Sequence, residues 1–443
     1  MKNKIILVLI TSLPFTEIYS QSSSFLGLGD LPGGTFSSYA NGVSYDGSIV
    51  AGNGTTENGS QAFIWTESSG MLSIGNVADN SFRESYANQI SGDGRTIVGE
   101  GDSTGSGIWE DHQGFRWTDT GGMEKFGNLN SSSRYKVYAV SADGSVIAGE
   151  SGKQAYRWTQ DEGMVGLGYF LGLPNSRALG VSSDGSVIAG SGYTDSWDHE
   201  QAFIWTQSGG MIALGNLPNC TDGFPNSISP DGSVVAGTCW QSTNGLAFRW
   251  KENTGIVAIG NLPGKTITHP LGINENGSVI VGGAIEDRVS TAFIWDSLHG
   301  VRNLKTVLQT MYGLDLTGWD LNIAFDITPD GKVIVGQGTN PSGDPEAFRV
   351  VLGTPTGISN IANDKGFEVY PNPTSGLLNI SFWGSPIKPS TVKVYNTQGS
   401  LIYSETFCNT DNTVIDLTGY SKGLYLVNLI NNQCSYTEKL CIH

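Results

Sequence analysis

The sequence predicts an all-β chain: a seven-bladed β-propeller followed by a small Ig-like β-sandwich. Three observations predict it. A short segment recurs seven times, an aromatic strand follows each copy, and the piece that completes the last unit stands at the opposite end of the chain. Composition agrees, since 61 Gly, 11 Trp and only 15% charged residues suit a turn-rich β protein better than a helical one.

The recurring segment is plainest in "SADGSVIAGE" from Ser141, "SSDGSVIAGS" from Ser182 and "SPDGSVVAGT" from Ser229. Its core appears as Asp46-Gly47, Asp93-Gly94, Asp143-Gly144, Asp184-Gly185, Asp231-Gly232, Asn276-Gly277 and Asp330-Gly331, spaced 41 to 54 residues apart. Each copy separates a small, apolar run such as "ANGVS" from a β-branched run such as "SIVAG". Asp-Gly or Asn-Gly between two such runs predicts a tight hairpin, because both positions tolerate positive φ. The Asp residues are therefore read as turn residues, not as acids or metal ligands.

A third strand follows in every unit: "AFIW" at Ala62, "GFRW" at Gly114, "AYRW" at Ala155, "AFIW" at Ala202, "AFRW" at Ala247, "AFIW" at Ala292 and "AFRV" at Ala347. Alternation places Phe63 and Trp65 on one side of the strand and Ile64 on the other. Aromatics repeated in every unit are expected to be core between neighbouring sheets, as are Met71, Met123, Met164 and Met211 after the Gly-rich turns. A fourth strand is expected at "LSIGN", "EKFGN", "VGLGY", "IALGN" and "VAIGN". The seventh unit ends at "AFRVVL" with no fourth strand, while "FLGLGD" (residues 25–30) matches one and has no unit of its own. The N-terminal segment is thus expected to close the last blade and remove the open edges. The repeats from Leu28 to Met71 and from Gly313 to Arg349 resemble the HAF family of probable extracellular repeats. That resemblance covers residues 25–352 and implies export but no activity.

After a polar linker at residues 353–366, short strands and turn signals resume across residues 367–443, as in a β-sandwich. "VYPNPTSGLLNI" from Val369, "VKVYNTQGSLIYS" from Val392, "DLTGYSKGLYLVNL" from Asp416 and the terminal "EKL" closely resemble the type A sorting domain of the type IX secretion system of Bacteroidetes. The motif residues carried by that resemblance are Tyr370, Pro371, Asn372, Pro373, Gly376, Gly423 and Tyr425. The resemblance implies a chain that meets the type IX secretion machinery and ends secreted or on the outer cell surface. Cys434 and Cys441 depart from what such a domain needs.

The N-terminus fits this route. Lys2 and Lys4 precede the apolar run "IILVLITSLPF", and small Ser20 precedes Gln21, so residues 1–20 are expected to be a signal peptide and residues 21–352 the propeller. No stretch is long enough to span a bilayer as a helix. The balance of 24 basic against 41 acidic residues excludes nucleic acid and anionic membrane surfaces as expected partners. Of five Cys, none shows zinc-site spacing, and Cys220 and Cys239 are a candidate disulfide within one repeat. A monomer without a cofactor or metal is expected.

Chemistry is sparse. "GDSTG" around Ser103 formally fits a nucleophile motif but lies in an insertion between strands, not at a strand–turn–helix elbow. The five His form no zinc pair, and no phosphate-binding loop is present. What stands out is the loop between second and third strands: Trp109, Asp111 and His112 in unit two, Trp197, Asp198 and His199 in unit four, and Trp240 in unit five. Aromatic faces flanked by carboxylate and imidazole suit a sugar or peptide. Local packing of these Trp as loop anchors is the plainer alternative. The sequence therefore predicts a secreted, non-catalytic propeller binding a glycan or protein through its loop face. The alternative is a polysaccharide- or peptide-degrading hydrolase or lyase, against which the inner strands ("ANGVS", "YAVSA", "NSISP") count because they are small and bland.

Overall fold

A computed structural model describes residues 22–77, 81–102, 112–129, 135–353, 367–382, 390–397, 400–407, 412–430 and 435–443. The signal-peptide segment, the Ser103 motif, Trp109 and Asp111, and the linker from residue 354 to residue 366 lie outside these residues. Seven antiparallel four-stranded units follow one another from residue 24 to residue 351, each ordered first strand to fourth strand. The first strands are Ser38–Val43, Glu84–Ile90, Tyr135–Val140, Asn175–Val181, Asp222–Ile228, Ile267–Ile273 and Asp320–Ile327. Single parallel pairings, Tyr135 with Gln113 and Gly245 with Ile267, also tie blade two to blade three and blade five to blade six.

The ring closes through the N-terminal strand. Ser24–Gly27 pairs antiparallel with Pro345–Val351, Ser24 opposite Val351, and is the outermost strand of blade seven. It is shorter than the sequence suggests. Gly29 takes φ 79°, which ends the strand, and the carboxylate of Asp30 then accepts the N–H groups of Leu31, Ser37 and Thr55. Blade seven is sewn to blade one where Ala347 N–H donates to Ser38 Oγ (3.0 Å) and Val43 N–H donates to Asp326 Oδ2 (3.0 Å).

The repeated residues build this frame. In each hairpin the residue two before Asp or Asn accepts an N–H five residues on, as Ser141 Oγ does from Val146 and Thr328 Oγ1 from Val333. The aromatic of each third strand is fully buried: Phe63, Phe115, Tyr156, Phe203, Phe248, Phe293 and Phe348. Opposite stands the Gly of each "AG" or "VG" pair. At Gly237 a Cβ would meet Phe224 O at 2.3 Å and the Phe248 ring at 2.5 Å, so the space belongs to the ring. Arg side chains on the other side of the third strand reach the next blade's Trp, Arg116 over Trp158, Arg249 over Trp295 and Arg349 over Trp65, at 5.7 to 5.9 Å.

One helix interrupts the β pattern among the described residues. Leu304–Tyr312 follows the fourth strand of blade six, with Asn303 accepting Thr306 N–H at its start and Gly313 in the left-handed region at its end. Leu304, Val307 and Leu308 are buried against blades six and seven.

C-terminal to these units, Phe367–Tyr370, Leu377–Phe382 and Asn412–Asp416 form one sheet. Leu401–Phe407, Ser390–Asn396, Gly423–Ile430 and Ser435–Ile442 form a second. Val369, Leu378, Ile380, Val392, Val394, Val427 and Leu440 fill their shared core.

Candidate ligand site on the loop face

Because every unit is antiparallel, the Asp-Gly hairpins share one face of the ring. The loops between second and third strands share the other, together with the links that enter each first strand. The first strands run from the loop face inward, so their leading residues form the mouth of the central channel. Tyr39, Tyr86, Lys136, Arg177, Phe224 and His269 hold equivalent register positions there. Opposite them in the second strands stand Asn53, Glu100, Glu150, Ser191, Thr238 and Gly283. The expectation of bland inner strands is corrected here. It rested on the Gly, Ala and Ser of the trailing halves, but those halves also carry Tyr138, Leu179, Leu271 and Phe325, and the leading halves carry aromatic and charged side chains.

On the side of blades three to five these groups converge. Arg177 Nη2 lies 2.5 Å from Glu200 Oε1, and its Nε donates to Ser191 Oγ at 3.1 Å. The guanidinium sits 5.0 Å from the Trp197 ring, 5.6 Å from Tyr193 and 5.7 Å from Phe224. Tyr193 and Trp197 stack with ring centroids 4.0 Å apart and planes 10° from parallel. Trp197 takes φ 59° at the tip of its loop and is 56% exposed, so its outer face meets solvent while its inner face is held. Tyr193 OH donates to Glu150 Oε1 at 2.7 Å.

Titration behaviour follows from this crowding. Burial pushes Glu150 above the usual carboxylate range, against the Tyr193 hydroxyl and the Arg177 charge, which favour its anion. Burial also raises Tyr193 and Tyr138, and the nearby Glu150 charge adds to both. Arg177 would be lowered by burial, but the Glu200 charge leads a set of neighbours that together raise it, so it stays cationic.

The other sequence-predicted residues extend from this centre. His199 Nδ1 lies 3.1 Å from Asp222 Oδ1, an oxygen that also accepts Glu200 N–H, which joins blades four and five. Asp198 accepts Thr194 Oγ1–H at 2.6 Å, which lowers its pKa. Trp240 pairs opposite Asp222 and meets His269 edge-on at 6.0 Å. Burial lowers the pKa of His269, whose Nδ1 is 2.9 Å from Thr238 Oγ1. His112 differs from its expected place. It begins the third strand of blade two, is only 3% exposed, stacks on Tyr86 at 5.6 Å and lies 3.5 Å from Glu100. Tyr86 in turn donates to Glu84 and is pushed up to about 12 by burial and that hydrogen bond. A disulfide joins Cys220 to Cys239 (Cα–Cα 5.8 Å) beneath the Trp240 end of blade five. Among the described residues no group of three or more His, Cys, Asp or Glu converges as a metal site.

Sequence reasoning missed Arg177, Tyr193, Glu200 and Phe224. The available signal was a recurrence of large or charged groups at one strand position, since Tyr39, Tyr86, Lys136 and His269 stand where Arg177 and Phe224 do.

In the C-terminal sheets the motif residues act as connectors. Asn372 donates from Nδ2 to Lys439 O and accepts Cys441 N–H, and Thr374 N–H donates to Cys441 O, which ties the "YPNP" turn to the last strand. Gly376 takes φ 117° with the Thr418 backbone where a Cβ would stand. Tyr425 is buried and donates to Ser421 O. Residues 368–443 match the secretion system C-terminal sorting domain family. That sorting domain directs the chain to the type IX secretion machinery and so to the cell surface or extracellular space.

No curated protein matches the chain in sequence. Among solved structures, oligogalacturonate lyase from Vibrio parahaemolyticus is similar at 11% identity and TM-score 0.49, over 75% of this chain and 97% of that one. The β-propeller domain of the Trilobed protease from Pyrococcus furiosus is similar at 9% identity and TM-score 0.46, over 78% and 99%. TolB from Acinetobacter baumannii is similar at 14% identity and TM-score 0.41, over 57% of this chain and 62% of that one. These are likenesses of fold.

Proposed function

We propose that this secreted β-propeller is a non-catalytic binding protein that takes a glycan or protein ligand on its loop face. One observation carries the reading: Trp197 presents an exposed ring that is fixed from behind by Tyr193 and Arg177. A fixed aromatic face costs little ordering entropy on binding, and carboxylates beside it supply hydrogen-bond acceptors. The resemblance of the units to HAF extracellular repeats, and a signal peptide at residues 1–20, belong to the same reading. Its test is a glycan and matrix-protein array probed with the purified secreted chain and with Trp197→Ala and Trp109→Ala. Loss of the bound spots with Trp197→Ala supports the site. Unchanged binding by both variants overturns it.

The second reading, a secreted hydrolase or lyase, is favoured by Glu100 and Glu150 at equivalent positions around the channel mouth. Turnover on a polysaccharide and peptide panel, abolished by Glu150→Gln, would replace the first reading with this one.

A further inference from the structure

The residue between Ser44 and Asp46 is Tyr45, and its counterparts in the other hairpins are Gly92, Ala142, Ser183, Pro230, Glu275 and Pro329. These residues ring the hairpin end of the channel, and neighbouring ones are joined by backbone bonds such as Tyr45 N–H to Gly92 O and Ser183 N–H to Pro230 O. Tyr45 alone among them is aromatic. Its ring lies against Gly92, where a Cβ would come within 2.8 Å, and its hydroxyl meets Ser183 Oγ at 2.5 Å. That bond joins blade one to blade four, which are not neighbours, so the side chain crosses the channel and bars its hairpin end. At the loop end the large side chains bond sideways instead, Arg177 to Glu200 within blade four and Tyr193 to Glu150 of blade three.

Above Tyr45 lies a cavity of about 320 Å³ walled by all seven first strands. Each of those strands bulges by one residue here, and the bulged residues are Asn41, Asn88, Tyr138, Leu179, Asn226, Leu271 and Phe325. Two amides of this wall, Asn41 and Asn88, spend Nδ2 on Ala87 O and Val137 O of the next first strand, and neither Oδ1 accepts a hydrogen bond from the described residues. Asp326 is the one carboxylate in the wall, and both its oxygens are spent on N–H groups, of Val43 and of its neighbour Ile327.

We infer that the channel holds the terminal unit of a neutral oligosaccharide whose remaining units run out of the mouth and over Trp197. The inference rests on the binding reading above and adds where the ligand ends and what it is. The cavity is at the small end of the range for small-molecule sites, so it takes a chain end and not a chain passing through. Sugar hydroxyls both donate and accept, which fits Asn41 Oδ1 and Asn88 Oδ1. A peptide terminus would bring a charge, and the wall offers no uncommitted opposite charge to meet it.

Calorimetric titration of the full secreted chain with linear neutral hexasaccharides of gluco, manno and xylo type, and with the cyclic glucose hexamer, tests this. A linear hexamer is expected to bind and the cyclic one to bind at least tenfold more weakly. Asn41→Leu and Asn88→Leu are each expected to weaken the linear ligand about tenfold, with cooperative thermal unfolding confirming the fold. If Trp197→Ala weakens binding while linear and cyclic ligands bind alike and both channel variants match wild type, the loop-face reading stands and the channel assignment falls. Binding of peptides only, or of nothing in the panel, overturns it.

Discussion

The two faces of the ring are built by opposite rules. On the hairpin face, seven near-copies of one turn hold the same bonds, a Ser, Thr or Asn side chain accepting an N–H five residues on. On the loop face the connections between second and third strands differ in length and composition, and equivalent positions carry different groups, as Arg177 stands where Lys136 and Phe224 do. Uniformity on one side fixes the spacing of the blades, and that fixed spacing lets the other side vary without loss of the ring.

The comparison breaks most visibly at the core that both faces share. Phe348→Ala is expected to cost about 3–5 kcal/mol, because the ring is fully buried between blades six and seven, and thermal or denaturant unfolding measures it. Gly237→Ala comes next. Its new methyl would sit 2.3 Å from Phe224 O, and displacement of a first strand is expected to cost about 1–3 kcal/mol or more by the same measurement.

Asp326 gives a pH-dependent version of the same test. Burial raises its pKa from 3.8 to about 7 in the folded chain, so it holds a proton there that the unfolded chain releases near 4. Stability conferred by the neutral form is therefore present below the unfolded value and lost as pH rises through the window from about 4 to 7. Melting temperature should fall across that window in the wild type. In Asp326→Ser, which copies Ser227 at the equivalent place in blade five, the Asp326-linked part of that fall should vanish. An equal slope in both proteins would remove Asp326 as its source.

Smaller effects separate the faces themselves. Ser141→Ala removes one hairpin acceptor and is expected to cost about 1–2 kcal/mol by unfolding. Trp197→Ala on the loop face is expected to change stability by less than about 0.5 kcal/mol while abolishing ligand capture, because its ring is mostly exposed.

Much of this frame is readable in the residues. Asp143-Gly144 and its six counterparts count the blades, and the unmatched "FLGLGD" foretells the closing strand. The helix Leu304–Tyr312 escaped because a reading tuned to period two passes over "LKTVLQTMY", although Asn303 and Gly313 mark its ends. The site escaped for a different reason. Glu150 and Tyr193 are 43 residues apart, and only the blade spacing brings them together. Repeats advertise what is the same, whereas a site is made of what is different.

The closing strand has one more consequence. Gly353 N–H donates to Ser23 Oγ across 330 residues of chain, so both ends of the propeller leave from a single blade. Contacts of such separation form late, since loop-closure entropy is paid before they contribute. The ring therefore stays open until its seventh blade and its first few residues have met. Loss of those few residues would unzip the circle, whereas severing the chain beyond residue 353 would free the sorting domain and leave the ring intact.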